Sequence, residues 1–227
     1  MEKNSVETVA EGRRIVKMIE WIKSYHVFLP GRWGKWMIYI IVPAVFLGIE
    51  YLFYSISMYA QIGIILISAL IISLEMYMDY FIFGGIASKD TNKLEYLKKS
   101  IRGMEILKKS LIGDAVRRFL SISLIVYGLK YTSEVTYSGV QAMTLVLCYF
   151  VLSELLLFIT RHFSFLSLIT AGAILVSAAV PWITAWLLAK NTNSLLAGIV
   201  LGILAIGIAG GSRMIIMRKA RGSYYDG

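Results

Sequence analysis

The sequence predicts an all-α polytopic membrane protein. It comprises six transmembrane helices, an N-terminal helix lying as an elbow in the membrane interface, and a further cytoplasmic helix between the second and third spans. Composition, the spacing of the apolar runs and the placement of basic residues predict it. Of 227 residues, 58% are hydrophobic and 16% charged, against about a quarter charged in an ordinary soluble domain. Mean hydropathy is +0.70. With only 3 prolines, that composition excludes a disordered chain, a collagen and an ordinary cytosolic enzyme. Cys148 is the single cysteine, which excludes an intramolecular disulfide framework and a Cys-rich metal site. The net charge of +9 would suit nucleic acid, but where the charges sit argues for a membrane surface and no nucleic-acid partner.

Residues 1–35 form the first cytoplasmic unit. Over 5–25, Ile15, Met18, Ile19 and Ile22 recur at i, i+3, i+4 and i+7 among Arg13, Arg14, Lys17, Glu20 and Lys23. That is a basic helix with one apolar stripe, suited to the headgroup plane; anchoring and partner binding are both open to it. Trp21, Trp33 and Trp36 suit the interface, and Pro30-Gly31 turn the chain into the first span. The N-terminus carries no cleavable-signal pattern.

A span needs roughly 20 mostly apolar residues. The candidates are 36–54, 61–83, 114–129, 138–160, 165–189 and 195–217, within a transmembrane unit of 36–217, followed by a tail of 218–227. The third span starts with Arg117 and Arg118 in its first turn, which have to snorkel. Of the 23 Lys and Arg residues, all but Lys130 and Lys190 fall on one side. By the positive-inside rule that side is the cytoplasm, so both termini are cytoplasmic in a multi-pass cell-membrane protein. Outer loops at 55–60, 130–137 and 190–194 are short and leave no room for an outer domain.

Residues 88–113 carry Asp90 or Thr91 as an N-cap. Leu94, Leu97, Ile101 and Met104 then lie on one face, Lys98, Lys99 and Arg102 on the polar side, and Gly103 offers a break. Periodicity alone leaves two readings: a basic helix resting on anionic lipid, or a helix docking into a partner's groove. This run resembles the loop between the second and third spans of ABC-2-type (type V) ABC exporter membrane subunits. The matching positions are Asp90, Leu94-Glu95, Leu97, Ser100, Glu105-Ile106-Leu107 and Lys109. Asn92-Lys93 stands in place of the family's Gly-Thr, Ile101 where proline is common, and the late glycine is displaced to Gly113. The resemblance covers about thirty residues, joined by the six spans, cytoplasmic ends and short outer loops.

The resemblance implies a permease whose coupling helix docks on a separate ABC ATPase subunit through Asp90, Leu94, Glu95, Leu97, Lys98, Ile101 and Arg102. It also implies pairing with a second membrane subunit, as homodimer or heterodimer, mainly through the first and fifth spans. No G-x-x-x-x-G-K-[ST] is present; Gly31-Arg-Trp-Gly34-Lys35-Trp36 lacks the spacing. No catalytic residue, metal ligand or cofactor is therefore expected in this chain, and ATP and Mg would be bound by the partner. The cargo class is an amphipathic or hydrophobic peptide, lipid or drug. Two rival readings are a non-transporting immunity or regulatory protein that docks the same helix, and an intramembrane enzyme, for which no H-E-x-x-H or paired catalytic aspartates are present.

The candidate intramembrane charges are Glu75, Asp79, Arg117, Arg118 and Glu154. A charge at the bilayer centre costs about 2.5–3.5 kcal/mol on insertion scales, so each needs a partner, water or a proton. Glu75 and Asp79 share a helix face at i, i+4, at the depth of Arg117 and Arg118. Structural pairing and transport chemistry are both open to them. Glu50, near the outer end of the first span, can reach headgroups. Glu154 is expected to be solvated from the cytoplasm near Arg161 and His162, and His26 and His162 to be interfacial. Gly198/Gly202 and Gly207/Gly211 form two G-x-x-x-G pairs that favour close helix approach, weighted here towards internal packing. Tyr and Met residues of the first two spans suit either a substrate path or the lipid interface.

Overall fold

The computed structural model describes residues 16, 17, 19–28, 77–80, 82–84, 86, 99–132, 138–162 and 195–225, with isolated positions at 36, 40, 41, 44, 45, 48, 74, 171, 172 and 175. Most of the expected first, second and fifth spans lies outside the described residues. So do Glu50, Glu75, Asp90, Leu94, Glu95, Leu97 and Lys98. Regular structure among the described residues is helical throughout. Three long helices are α1 (Ile101–Thr132), α2 (Gly139–His162) and α3 (Leu195–Tyr225), joined by shorter helical stretches at 19–26 and 77–80.

α1 begins at Ser100, whose hydroxyl accepts the Gly103 amide proton at 2.8 Å, an N-cap that satisfies one free donor of the first turn. It runs unbroken for 32 residues, about 48 Å at 1.5 Å per residue. The break anticipated at Gly103 is absent, and the start anticipated for the third span falls in mid-helix. One glycine costs a helix only about 1 kcal/mol relative to alanine, and Met104, Leu107 and Leu111, spaced i, i+3, i+7, are all buried and hold the helix through this region.

α2 opens with a reciprocal capping box: the Gln141 amide donates to the Ser138 hydroxyl (3.2 Å) and the Ser138 amide donates to the Gln141 side-chain oxygen (2.8 Å). α3 continues past residue 217, so residues 218–225 extend the helix where a separate tail was expected. Ile216 and Ala220, both fully buried, carry its packed face into that extension. α2, with mean hydropathy 2.3, and Gly198–Ala220 of α3, with 2.1, are long and apolar enough to cross a membrane. α1 is more polar, because Lys108, Lys109, Asp114, Arg117 and Arg118 interrupt its apolar residues.

Side-chain pairings set the directions. Asp114 meets Arg161 and Arg118 meets Glu154, so α1 and α2 are antiparallel. Gly198 faces Thr144, Gly202 faces Leu147, and Arg213 meets Glu154, so α2 and α3 run parallel. The two G-x-x-x-G pairs therefore differ. Gly198 and Gly202 look towards α2, whereas a Cβ on Gly207 or Gly211 would meet nothing within 4 Å.

Two apolar clusters stack along the bundle. One is built on Ile122, Val126, Leu145, Val146, Phe150 and Ala205, with Phe119 edge-on to Phe150 at 5.5 Å. The other, nearer the α1 N-terminus, is built on Tyr25, Phe83, Met104, Leu107, Leu111 and Ile216. Tyr25 brings the N-terminal helix into this second cluster. Its buried residue is Tyr25, with Trp21, Ile22 and Phe28 half-buried beside it, whereas Ile19 of the expected apolar stripe faces outward: Tyr25 is 1% exposed and Ile19 43%. The reason lies in α1. Gly113 has no side chain, and the Trp21 backbone crosses directly over it; a Cβ there would stand 2.7 Å from the Trp21 carbonyl carbon and overlap its oxygen. The helix over 19–26 is thus docked on the bundle, with Lys109 bridging Glu20 (3.7 Å) and Glu105 (3.2 Å) on the outside.

Gly113→Ala is therefore expected to lower stability by about 1–3 kcal/mol, the usual cost of overpacking. Gly207→Ala, pointing into open space, should be neutral or raise it by about 0.5–1 kcal/mol. Thermal unfolding of the two purified variants checks the contrast.

A candidate functional site: the buried arginine–carboxylate cluster

The described charges expected inside the membrane come together, with three more that the sequence reading placed elsewhere. Asp79, Asp114 and Glu154 meet Arg117, Arg118, Arg161 and Arg213 at the junction of the two apolar clusters. Four stretches of chain contribute: 77–80, α1, α2 and α3. On α1, Asp114, Arg117 and Arg118 share a face at i, i+3, i+4, the spacing that places helix side chains side by side. On α2, Glu154 and Arg161 are two turns apart on the face towards α1.

Asp114 is the hub. Its carboxylate accepts from Arg117 Nη2 at 3.1 Å, from Arg161 Nη2 at 2.8 Å, and from Arg118 Nη2. Arg161 also grips Asp79 through Nε (3.0 and 3.1 Å) and Nη2 (2.5 Å), a two-pronged contact of the kind guanidinium geometry favours. Arg118 extends from Asp114 to Glu154, donating from Nη1 to Oε1 at 2.6 Å, and lies 4.0 Å from Asp79. Arg213 reaches the same Glu154 oxygen at 3.5 Å. Glu154 Oε2, also buried, has no partner among the described residues. Aromatic faces close the cluster: the Arg161 guanidinium stands 5.5 Å from the Phe83 ring centre and Arg117 stands 5.4 Å from that of Tyr25, within range for cation–π attraction.

Several expectations change as a result. Arg117 and Arg118 do not snorkel; they are 4% and 0% exposed. Glu154 is not solvated but 1% exposed, and Arg161, read as part of a cytoplasmic link, is equally buried in the last turn of α2. Arg118 lies near Asp79 as anticipated, but the tighter partner of Asp79 is Arg161. Asp114 stands at the expected start of the third span and Arg213 near the expected end of the sixth, and neither is among the charges expected inside the membrane. A signal for both was available: each sits among apolar residues at a packed helix position, where a charge requires a counter-charge. His162 is half-buried, its Nδ1 donating to the Phe158 carbonyl (2.8 Å).

The two other site residues that are described, Ile101 and Arg102, lie apart from the cluster. Ile101 is 92% exposed at the tip of α1, and Arg102 beside it is exposed. Buried hydroxyls do not join the cluster through the bonds they make: Ser110, Ser153, Thr160 and Ser212 each donate to a carbonyl of their own helix, three residues back, which satisfies them locally. No grouping of His, Cys, Asp and Glu among the described residues could hold a metal ion. What the arrangement does is mechanical. It fixes four stretches of chain in one register, because Arg118 and Arg161 each bridge two carboxylates and cannot release one without disturbing the other.

No family model matches the chain, and no curated protein and no solved structure matches it either.

Removing one partner of a buried ion pair typically costs about 3–5 kcal/mol, because the remaining charge is left buried and uncompensated. Asp114→Asn is expected in that range, and Glu154→Gln below it, since a single short bond holds that carboxylate. Glu105→Gln, on the exposed pair with Lys109, should cost under about 0.5 kcal/mol. Unfolding free energies of the three variants in one detergent test the order.

Proposed function

We propose that this chain is the membrane subunit of an ABC-2-type exporter. It pairs with a second membrane subunit and is driven by a separate ATPase that binds ATP and Mg. The cargo is an amphipathic or hydrophobic molecule, a peptide, lipid or drug, moved outward across the cell membrane. The chain crosses the membrane six times with both termini in the cytoplasm.

The observation that carries the reading is the continuity of α1. Its exposed tip, Ile101 and Arg102, and its buried hub, Asp114 to Arg118, are parts of one helix. They are separated by 13–17 residues, about 20–25 Å of unbroken helix. A helix of this kind transmits a push at its tip to the cluster, and through the cluster to α2, α3 and the 77–80 stretch. That is what a coupling element has to do, and a helix merely resting on lipid would not need it. The parallel direction of α2 and α3, whose C-terminal ends lie at the same end of the bundle, supports the reading of an odd number of crossings between them. Setting aside Arg117, Arg118, Arg161 and Arg213 as internal counter-ions, the other basic residues remain on the cytoplasmic side apart from Lys130 and Lys190.

Purification of the full chain from native membranes in mild detergent should bring down a Walker-motif ATPase. Ile101→Asp with Arg102→Glu, and separately charge reversal at Asp90 and Glu95, should reduce that recovery severalfold while leaving thermal unfolding of the subunit unchanged. Recovery of a cytoplasmic partner without nucleotide hydrolysis would favour the non-transporting docking protein instead. Unaltered recovery of the ATPase in both variants would remove the coupling assignment.

A further inference from the structure

Two cavities, one between α1, α2 and α3 and a smaller one between α1 and α3, meet at Ile112, Gly210 and Arg213. The larger, about 1220 Å³, extends along the bundle from Arg213 to Gly198. That is 15 residues of α3, or about 22 Å, longer than the roughly 15 Å of one hydrocarbon leaflet. Gly198, Gly202 and Gly210 open the groove by withholding side chains, and Ile199 and Ile206, 54% and 78% exposed, form its outer lip. Its walls are apolar. Thr144, the polar residue facing it at the far end, donates its hydroxyl to the Val140 carbonyl at 2.8 Å.

The smaller cavity, about 410 Å³, differs in character. Lys108, Arg213 and Arg218 line it, and no Asp or Glu does. Lys108 and Arg218 are exposed. Arg213 is committed to Glu154 only at 3.5 Å, and its buried Nε has no partner among the described residues. Three cations, with no carboxylate in the cavity lining beside them, thus sit at the mouth of an apolar groove longer than one leaflet, at the end of the bundle where basic residues gather.

We propose that this composite site seats an anionic phospholipid of the cytoplasmic leaflet, with its phosphate on Lys108, Arg213 and Arg218 and one acyl chain along the α1–α2–α3 groove. Charge complementarity selects the headgroup, and the length and apolar lining of the groove select the chain. The seat depends on α2 and α3 lying in the bilayer, not on the exporter reading. Arg213 links it to the cluster: a phosphate that draws this side chain outward weakens its 3.5 Å contact with Glu154, so lipid occupancy bears on the ion network that ties the helices together.

The test uses the full chain in mild detergent, titrated with dioleoyl phosphatidylglycerol, dioleoyl phosphatidylcholine or inorganic phosphate, with bound lipid counted by native mass spectrometry. Phosphatidylglycerol is expected to bind preferentially. Lys108→Gln and Arg218→Gln should each weaken it about fivefold, corresponding to about 1 kcal/mol per basic residue near an anionic surface. Lys219→Gln, on an exposed lysine outside both cavities, should leave binding unchanged. Gly202→Leu, filling the groove, should abolish the preference while the protein stays monodisperse. Equal binding of both lipids, or an equal loss from Lys219→Gln, overturns the proposal in favour of general surface attraction. Phosphate competing as well as the lipid, or full binding by Gly202→Leu, overturns the seating of an acyl chain.

Discussion

The packing of this protein depends on how it keeps three carboxylates and four guanidinium groups out of water. Asp114 accepts from three arginines, and Arg118 and Arg161 each span two acids. Desolvating such charges costs several kcal/mol each, which the interior repays only when every group finds partners in good geometry. The requirement is collective, and it forces 77–80, α1, α2 and α3 into one register. Apolar packing alone would not do so: α2 and most of α3 are apolar almost all round, and a one-residue slip of such a surface costs little. The ionic layer supplies the specificity, while the Ile122–Phe150 and Tyr25–Leu111 clusters on either side of it supply the buried area.

The same layer explains how α1 functions as a single body. An apolar span following an arginine pair would ordinarily start at the interface, with the arginines reaching back to headgroups. Here the arginines point inward to Asp114, Glu154 and Asp79, so the helix has no reason to end or bend where its polarity changes. Gly113 reinforces this, because its missing side chain admits the Trp21 backbone and the N-terminal helix packs across α1 at that level. A displacement at Ile101 is then borne by the helix, the cluster and the docked N-terminal helix together. The proposed coupling role and the proposed lipid seat meet at this level, since Arg213 belongs to both the cluster and the cavity lining.

Much of this was legible in the chain, and the reasons are physical. An all-α protein follows from apolar runs of bilayer length. The extents of α2 and most of α3 could be read to within a few residues, since each is a nearly uninterrupted apolar stretch. The placement of Asp79 near arginines of the next long helix was legible in outline from the cost of burying charge. The union of residues 101–113 with the stretch expected as a third span was not, because a helix that changes from polar to apolar looks, by composition, like two elements. Arg161 and Arg213 were misplaced for a related reason: a basic residue near the end of an apolar run looks the same whether it faces headgroups or a carboxylate on another helix.

The sequence by itself determined the apolar character of the helices and the extent of α2, because these depend on composition and local spacing. Tertiary structure alone decided which acid holds which arginine. Glu154 and Arg118 are 36 residues apart, and Asp79 and Arg161 are 82 apart, so no local pattern records their contact. It also decided that the face of the N-terminal helix carrying Trp21, Tyr25 and Phe28 turns inward, because that choice rests on a glycine in another helix whose absent side chain leaves room for a backbone to pass.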